Sequence, residues 1–354
     1  PKNLPPMPAT KSPRLLLPDA DISGPLFVGI DLGGTNIKAA LVDGQGQMVA
    51  FHTEPTNVQN GPDDAAIRMG HSVELLAHCV GLARSDIAAV GLGTPGPQDL
   101  STGVLLKPGN FPGWENFPVR DRVAEHCGHA VTYANDATAA AYGEFWVGSG
   151  RDDTSLILLT LGTGVGGGII IHDMTIEGAH SHGSECGHII VDSSPTARMC
   201  PCGQPGHLEA YASATALKAR ASERIRDGGV GTLADAVNQG EPLTPILIGN
   251  HAEQGDQLAM SLVMETADWL AIGIVTLMHT IDPSAIILGG AMTFGRDEHP
   301  VGRAFLDRID TCIRRHTFPT LAKKTALRFA TLGGHAGSIG AAGLGRLTWK
   351  QQNS

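Results

Sequence analysis

Charged residues are few in this 354-residue chain, and the acidic residues outnumber the basic ones. Charged residues make up 17% of the sequence, and the formal net charge is −10. No basic stripe is available to displace counterions, which argues against a nucleic-acid-binding surface. The longest apolar run, Trp269 to Met278, is far shorter than the ~20 residues that a membrane span needs. It lies on a longer helical pattern and predicts a buried core helix.

Disulfide and export signals are also lacking. The six cysteines include only one close pair, which is typical of a protein of the reducing cytoplasm. Residues 1–25 contain seven prolines, few large apolar side chains and no signal-peptide core. They predict a disordered N-terminal extension.

Glycine, by contrast, is abundant. The 46 glycines fall in short clusters beside apolar runs, which indicates turns where the backbone approaches a ligand closely. The length predicts two domains or lobes.

The first glycine cluster joins two predicted strands. Leu26 to Leu32 and Ile37 to Val42 read as the first strands of a β-meander, with a third near residues 48–51. The intervening Gly33-Gly34-Thr35 corner offers N–H groups and a hydroxyl that suit a phosphate. A plain hairpin accounts for the same residues equally well.

A second corner follows the strand that ends at Leu161. Gly162-Thr163-Gly164 and Gly167 match the dinucleotide fingerprint by letter, but the strand-like Ile169 to Ile171 follows where that motif needs a helix. There is no Walker A sequence either. The repeat of strand, glycine corner and strand predicts two similar lobes, each presenting one turn to phosphates.

Asn135-Asp136 stands between a short strand and a small-residue helix. Both residue types serve as helix N-caps, so a purely structural interpretation is open. The functional alternative makes Asp136 a general base at a strand end, with Asn135 binding the same substrate.

The loop before residue 210 carries a candidate metal site. Two imidazoles and two thiolates within twenty residues suit tetrahedral Zn²⁺ with no open position: His188, Cys200, Cys202 and His207. Such an ion would be structural and would hold the loop bearing Glu185 and the start of a predicted helix, Leu208 to Arg226. The second ring nitrogen of His188 remains for a substrate hydroxyl. Further along, Gly289-Gly290 ends a strand and is predicted to lie against a nucleotide base or ribose.

Together these stretches resemble the ROK family of repressors, open-reading-frame proteins and sugar kinases. The residues that carry the resemblance are Asp31 to Lys38, Gly93 to Gly96, Asn135-Asp136, Leu161 to Gly167, Glu185 to His188, the Cys200/Cys202 loop with Glu209, and Leu288 to Gly290. The resemblance implies an α/β, actin-like and RNase H-like duplicated two-lobe ATPase fold with a cleft between the lobes. We expect a small lobe of residues 26–136 plus 335–350 and a large lobe of residues 137–334 with the zinc loop.

The same resemblance implies roles for particular residues. Asp136 becomes the catalytic base. Hexose hydroxyls are bound by Asn110, Asn135, Asp136, Glu185, His188 and Glu209, and ATP by Gly33, Gly34, Thr35, Lys38, Gly162, Thr163, Gly164, Gly289 and Gly290. In the family a third zinc cysteine is usual where this chain has His207; imidazole is also a competent ligand, so the site is expected to survive.

The expected activity is ATP-dependent phosphorylation of the 6-hydroxyl of glucose, with Mg²⁺ and a structural Zn²⁺. An N-acetylhexosamine kinase or a fructokinase of the same family is the alternative, and a non-catalytic sugar sensor is a third. Polyphosphate is a possible donor in place of ATP. The expected partners are hexose and ATP, with no nucleic acid and no membrane, in a homodimer or homotetramer.

Overall fold

The computed structural model describes residues 13–16, 24–109 and 111–353, and these divide into two compact units. The first unit is made of three segments: the described residues up to Arg151, the segment Glu177–Gly183, and the described residues from Gly334 onward. The second contains Asp152–Ile176 and Ser184–Gly333. The first unit runs past the predicted boundary at residue 136 because the helix that begins there packs against the C-terminal helix.

The strands of the two units follow one another along the chain. They are β1 (Arg14–Leu15), β2 (Leu26–Leu32), β3 (Asn36–Val42), β4 (Met48–Pro55), β5 (Ile87–Thr94), β6 (Gln98–Asp99), β7 (Val104–Leu105), β8 (Val131–Asn135), β9 (Ser155–Leu161), β10 (Val165–Ile171), β11 (Met174–Thr175), β12 (Ala285–Gly290) and β13 (Ala326–Phe329).

The helices are α1 (Pro62–Cys79), α2 (Val119–Cys127), α3 (Asp136–Trp146), α4 (Glu209–Ala212), α5 (Ala214–Arg226), α6 (Thr232–Asn238), α7 (Pro245–Glu253), α8 (Gln257–Ile281), α9 (Pro300–His316), α10 (Pro319–Lys324) and α11 (Ala336–Gln352). The predicted helix from Leu208 to Arg226 is wrong as a single element. Ser213 has extended dihedrals and its hydroxyl caps α5, so the chain forms two helices.

The two units repeat one sheet topology. In the first, β2 pairs antiparallel with β3 and parallel with β5, which pairs parallel with β8. In the second, β9 pairs antiparallel with β10 and parallel with β12, which pairs parallel with β13. The internal repeat predicted from the two glycine corners is therefore confirmed at the level of strand order. The continuation of β10 as a strand also confirms that the dinucleotide fingerprint does not apply.

Part of the predicted disordered extension is ordered. Arg14–Leu15 pairs antiparallel with Phe51 and Ala50 of β4, so the prediction is wrong for these residues. The rest of residues 1–25, apart from Pro13, Leu16, Gly24 and Pro25, lies outside the described residues.

The core of the second unit is built around α8. This helix is the one in the described part of the chain that is long and apolar enough to cross a membrane, and half of its apolar window is buried in the protein. Its buried side includes Leu262, Leu270 and Ile274, which belong to the largest apolar cluster of this unit. It packs against α7 and α9, as the prediction of a core helix required.

Many glycines serve close packing inside the first unit. A Cβ on Gly29 would lie 1.8 Å from the carbonyl oxygen of Ser338, and one on Gly91 would lie 1.8 Å from that of Ala341. A Cβ on Gly340 would lie 1.6 Å from the carbonyl oxygen of Ala139. The prediction that glycine clusters mark ligand approach is therefore wrong for these three positions, where glycine allows α11 to lie directly on β2, β5 and α3.

This packing predicts a large loss of stability in Gly91→Ala. The added methyl group meets backbone that cannot rotate away, so we expect the unfolding free energy to fall by about 3 kcal/mol, at the upper end for overpacking. Urea unfolding should show a lower midpoint. Gly109→Ala is the matched control, because a Cβ there has no atom within 4 Å. Equal midpoints for the two variants would contradict the packing argument.

Candidate active site

The Gly33–Thr35 corner of the first unit is a tight turn with a solvent-facing surface. It is closed by the hydrogen bond from Gly33 N to Asn36 O, at 3.0 Å, and Gly34 and Thr35 are exposed. Lys38 lies on β3 beside this turn, and its Nζ donates to Gly334 O at 2.9 Å. The predicted phosphate ligand Lys38 is thus anchored to the segment that leads into α11.

Asp31 is a candidate functional residue that was not among the predicted site residues. It lies opposite Lys38 in the β2–β3 register. Its carboxylate is close to the first turn of α11, since a Cβ on Gly337 would be 2.8 Å from Asp31 Oδ2. Burial raises the pKa of Asp31, and the charge of Lys38 opposes that shift. An acid near the end of an apolar strand, two residues before a glycine corner, was the available sequence signal.

Asn135 and Asp136 join β8 to α3 at the carboxyl end of two parallel strands. Asn135 Oδ1 accepts hydrogen bonds from Ala137 N at 2.9 Å and Thr138 N at 3.3 Å, so Asn135 is the N-cap of α3. Asp136 is the first helical residue, and its Oδ1 accepts from Ala137 N at 2.8 Å. The structural interpretation is therefore confirmed for Asn135, whose amide hydrogens are not needed for the cap.

The loop before α2 is anchored in the core of the first unit. Phe111 and Trp114 are fully buried, and Trp114 Nε1 donates to Val58 O at 3.2 Å. The predicted sugar ligand Asn110 lies outside the described residues. Its two neighbours along the chain, Gly109 and Phe111, are described.

The glycine corner of the second unit is tied to the helices that follow it. Gly162 N donates to Gly164 O at 3.0 Å, while Gly162 O accepts from Ala214 N at 2.8 Å. Thr163 O accepts from the hydroxyl of Thr215 at 2.8 Å. The carbonyls of Gly162 and Thr163 are thus bonded to the start of α5.

Glu209 contacts the same corner. Its Oε2 accepts from Val165 N at 2.9 Å, and a Cβ on Gly164 would lie 2.2 Å from that oxygen. A methyl group at position 164 would therefore displace the Glu209 carboxylate from its present place. Gly290 is also explained by packing: it has a φ of 89°, and a Cβ there would be 2.3 Å from Leu161 O.

The four predicted zinc ligands converge. The Nδ1, Nε2 or Sγ donor atoms of His188, Cys200, Cys202 and His207 all lie within 4.8 Å of one another. The separations are 3.2 Å for His188 Nδ1 to His207 Nδ1, 3.2 Å for Cys202 Sγ to His207 Nδ1 and 3.7 Å for Cys200 Sγ to His188 Nδ1. A tetrahedral Zn²⁺ with bonds of about 2.0–2.3 Å needs ligand separations of roughly 3.3–3.8 Å. The donor set fits the ion.

Backbone hydrogen bonds hold this loop in place. Cys200 N donates to Gln204 O at 2.9 Å and Gly203 N donates to Cys200 O at 2.9 Å. Leu208 N donates to Ile189 O at 3.0 Å, so the loop closes between His188 and the start of α4.

His188 belongs both to the candidate metal cluster and to the predicted sugar ligands. With Nδ1 in the cluster, its Nε2 lies 4.0 Å from Glu185 Oε2, and both side chains are partly exposed. Glu209 Oε1 lies 3.7 Å from Cys200 Sγ. The second unit therefore brings Glu185, His188 and Glu209 around one loop, whereas Asn135 and Asp136 belong to the first unit.

Two α/β units with the same hairpin-and-parallel-strand sheet, each with a glycine corner at its hairpin, define the class of actin-like two-lobe ATPase folds. The profile of the ROK family matches residues 27–347. The chain belongs to the ROK family.

Individual relatives are similar over almost the whole chain. A glucokinase from Halalkalibacterium halodurans is 33% identical over 328 residues, which cover 93% of this chain and 96% of the relative. An N-acetylmannosamine kinase from Haemophilus influenzae is 28% identical over 89% of this chain and 93% of its own. The crystal structure of a ROK family glucokinase from Streptomyces griseus, in complex with glucose and AMPPNP, is 33% identical, with a TM-score of 0.72 over 91% of this chain and 99% of that chain.

Proposed function

We propose that this chain, a sugar kinase of the ROK family, transfers the γ-phosphoryl group of ATP to the 6-hydroxyl of glucose, with Asp136 as general base. The observation that carries the proposal is the placement of Asp136 at the carboxyl end of β8, on the first turn of α3. Ligands of open α/β sheets bind at such strand ends. The similarity to glucokinases at 33% identity supports glucose as the acceptor.

In the proposed reaction, Asp136 accepts the proton of the attacking hydroxyl. A carboxylate is a general base for such a transfer when it lies within hydrogen-bond reach of the hydroxyl. The helix N-terminus and the N–H of Ala137 hold the side chain in one orientation. Asn135, fixed by its capping bonds, would present its amide hydrogens to a neighbouring hydroxyl of the same sugar.

The remaining sugar contacts would come from Asn110, Glu185, His188 and Glu209. Carboxylates suit a sugar because each accepts more than one hydroxyl hydrogen bond, and bonds to charged acceptors are the strong ones. One oxygen of Glu209 is already bonded to Val165 N, so Oε1 is the atom proposed for the sugar. His188 would donate from or accept at Nε2.

The corners at Gly33–Thr35 and Gly162–Gly164 are proposed to bind the phosphates of ATP, with Lys38 beside the first corner and Gly289-Gly290 near the base or ribose. Exposed N–H groups of such turns form anion-binding concavities. Mg²⁺, when bound to the nucleotide, offsets charge on the transferring phosphoryl group.

A structural Zn²⁺ is proposed at His188, Cys200, Cys202 and His207, whose donor separations fit a tetrahedral ion. All four ligands come from the protein, so the ion would have no open position. Its effect would be to orient His188 and to fix the segment that ends in Glu209.

Four alternatives concern the acceptor, the donor or the presence of catalysis. An N-acetylhexosamine kinase is the second candidate for the acceptor, supported by the N-acetylmannosamine kinase relative. No contact described above supports a fructokinase, a non-catalytic sensor or polyphosphate as donor.

Three further expectations stay predictions: the cytoplasmic location, the homodimer or homotetramer, and the absence of nucleic-acid and membrane partners.

A sugar panel with ATP tests the acceptor. Glucose is expected to give the highest kcat/KM among glucose, mannose, fructose, N-acetylglucosamine and N-acetylmannosamine. The phosphorylated position is read from the product by NMR. A higher kcat/KM for an N-acetylated sugar would replace glucose with the second candidate, and binding of sugar without ATP turnover would revive the sensor. Repeating the best reaction with polyphosphate identifies the donor.

A further inference from the structure

Thr56, directly after β4, makes two hydrogen bonds to the Gly33–Thr35 corner. Its side chain is fully buried. The hydroxyl donates to Gly33 O at 2.5 Å, and the backbone N donates to Thr35 O at 2.9 Å. A single residue therefore binds two of the three carbonyl groups of this turn.

These bonds decide which polar groups the corner presents. In a trans peptide the carbonyl oxygen of one residue and the N–H of the next point in opposite directions. Because the Gly33 carbonyl is turned toward Thr56, the N–H of Gly34 points away from it. Carbonyl oxygens repel a phosphate and N–H groups attract it, so this orientation is the one that suits an anion.

Thr56 is itself held by a buried cation. Arg68, on α1, is 6% exposed; its Nη1 donates to Pro55 O at 2.9 Å, and its Nη2 donates to Thr56 O. Its charge is balanced by Glu54, at 3.1 Å, and Asp64, at 2.9 Å. A buried, paired guanidinium with several acceptors is a rigid support, because every rearrangement leaves a charge or a carbonyl unpaired.

The second unit orients its corner in the same way with unrelated residues. There the hydroxyl of Thr215 donates to Thr163 O, and Ala214 N donates to Gly162 O. In both units one threonine hydroxyl and one backbone N–H bind two carbonyls of the glycine turn. The shared result is a turn in which two carbonyls are bonded to other segments of the protein.

We infer that Thr56 is a positioning residue for nucleotide binding: by holding the carbonyls of Gly33 and Thr35, it orients the corner's N–H groups toward a phosphate. The inference rests on the proposed function, in which this corner binds the phosphates of ATP. Thr56 acts on nucleotide affinity and leaves the sugar contacts unchanged.

The test compares Thr56→Val, which replaces the hydroxyl with a methyl group of similar size, with Thr56→Ser, which keeps the hydroxyl. The Kd of the non-hydrolysable analogue AMPPNP, measured by calorimetry, and the KM for ATP are expected to rise roughly three- to ten-fold in Thr56→Val, the value of one neutral hydrogen bond. The KM for sugar should stay within about twofold, and Thr56→Ser should restore nucleotide affinity. Thr53→Val, at an exposed threonine of β4, is the matched control and should change none of these values.

Unchanged nucleotide affinity in Thr56→Val would overturn the inference. So would a parallel loss of sugar and nucleotide affinity that Thr56→Ser does not restore, since that result indicates a structural role only. If the wild-type protein phosphorylates no sugar, the proposed function fails, and AMPPNP binding to the variants still decides the role of Thr56.

Discussion

Asp136→Asn is expected to lower the turnover of glucose by roughly two to four orders of magnitude, the range for loss of a general base. Asparagine is nearly isosteric, and its Oδ1 can still accept the hydrogen bond from Ala137 N that the structure shows at 2.8 Å. The first turn of α3 therefore keeps its geometry. What the amide lacks is the ability to take the proton of the attacking hydroxyl.

Steady-state kinetics with ATP and the best sugar of the panel provide the measurement. The KM values should change far less than kcat, because the substituted side chain can still hydrogen-bond a hydroxyl. Asp121→Asn is the matched control: Asp121 is another carboxylate in the first turn of a helix of the same unit, and its substitution should leave kcat within about twofold. An Asp136→Asn variant with kcat within tenfold of wild type would remove Asp136 from the role of base.

Loss of the proposed zinc ion is expected to have the second large effect. Elemental analysis of the purified protein should find about one zinc per chain, and Cys200→Ser should lose it because the tetrahedral set is left with three strong ligands. Since His188 and the segment ending in Glu209 are held by that loop, the KM for sugar should rise at least tenfold, as for loss of an outer-shell support. Thermal unfolding should begin at a lower temperature.

Two variants sharpen this test. Cys79→Ser removes a partly buried cysteine of the first unit and should retain both zinc and sugar affinity. His207→Cys should also retain zinc, because a thiolate replaces an imidazole in the same tetrahedral set. A zinc-free wild-type protein with full activity would contradict the proposed site, as would a Cys200→Ser variant that keeps its metal.

Short-range patterns predicted the elements around the candidate site well. β2 and β3 match the predicted strands to within one residue, and β10 is a strand where the glycine motif alone would have required a helix. The convergence of the four candidate metal ligands was also predictable, because they lie within twenty residues of one chain segment and a short loop can bring them together. The prediction of one helix from Leu208 to Arg226 was wrong because helical periodicity does not show a local break. It does not reveal that the Ser213 hydroxyl caps a new helix.

Long-range contacts were not readable in the same way. The sequence around Gly91 and Gly340 does not distinguish a glycine that faces a ligand from one that allows a neighbouring backbone segment to pack closely. Likewise, Thr56 and Arg68 carry no motif, and their importance to the Gly33–Thr35 corner depends on hydrogen bonds formed across 12 to 23 residues of chain.

By itself, the sequence determined the residue types on which the proposed chemistry depends: the Asn135-Asp136 pair, two glycine corners, and a compact set of imidazoles and thiolates. Local spacing suffices for these, because strand alternation, turn residues and ligand clustering act over a few residues. Only the tertiary structure decided which carbonyls of the two glycine corners are bonded to the protein, and that Glu209 binds the second corner with one of its two oxygens. Those outcomes depend on hydrogen-bond partners far apart in the chain, which become neighbours only when the sheets and helices pack.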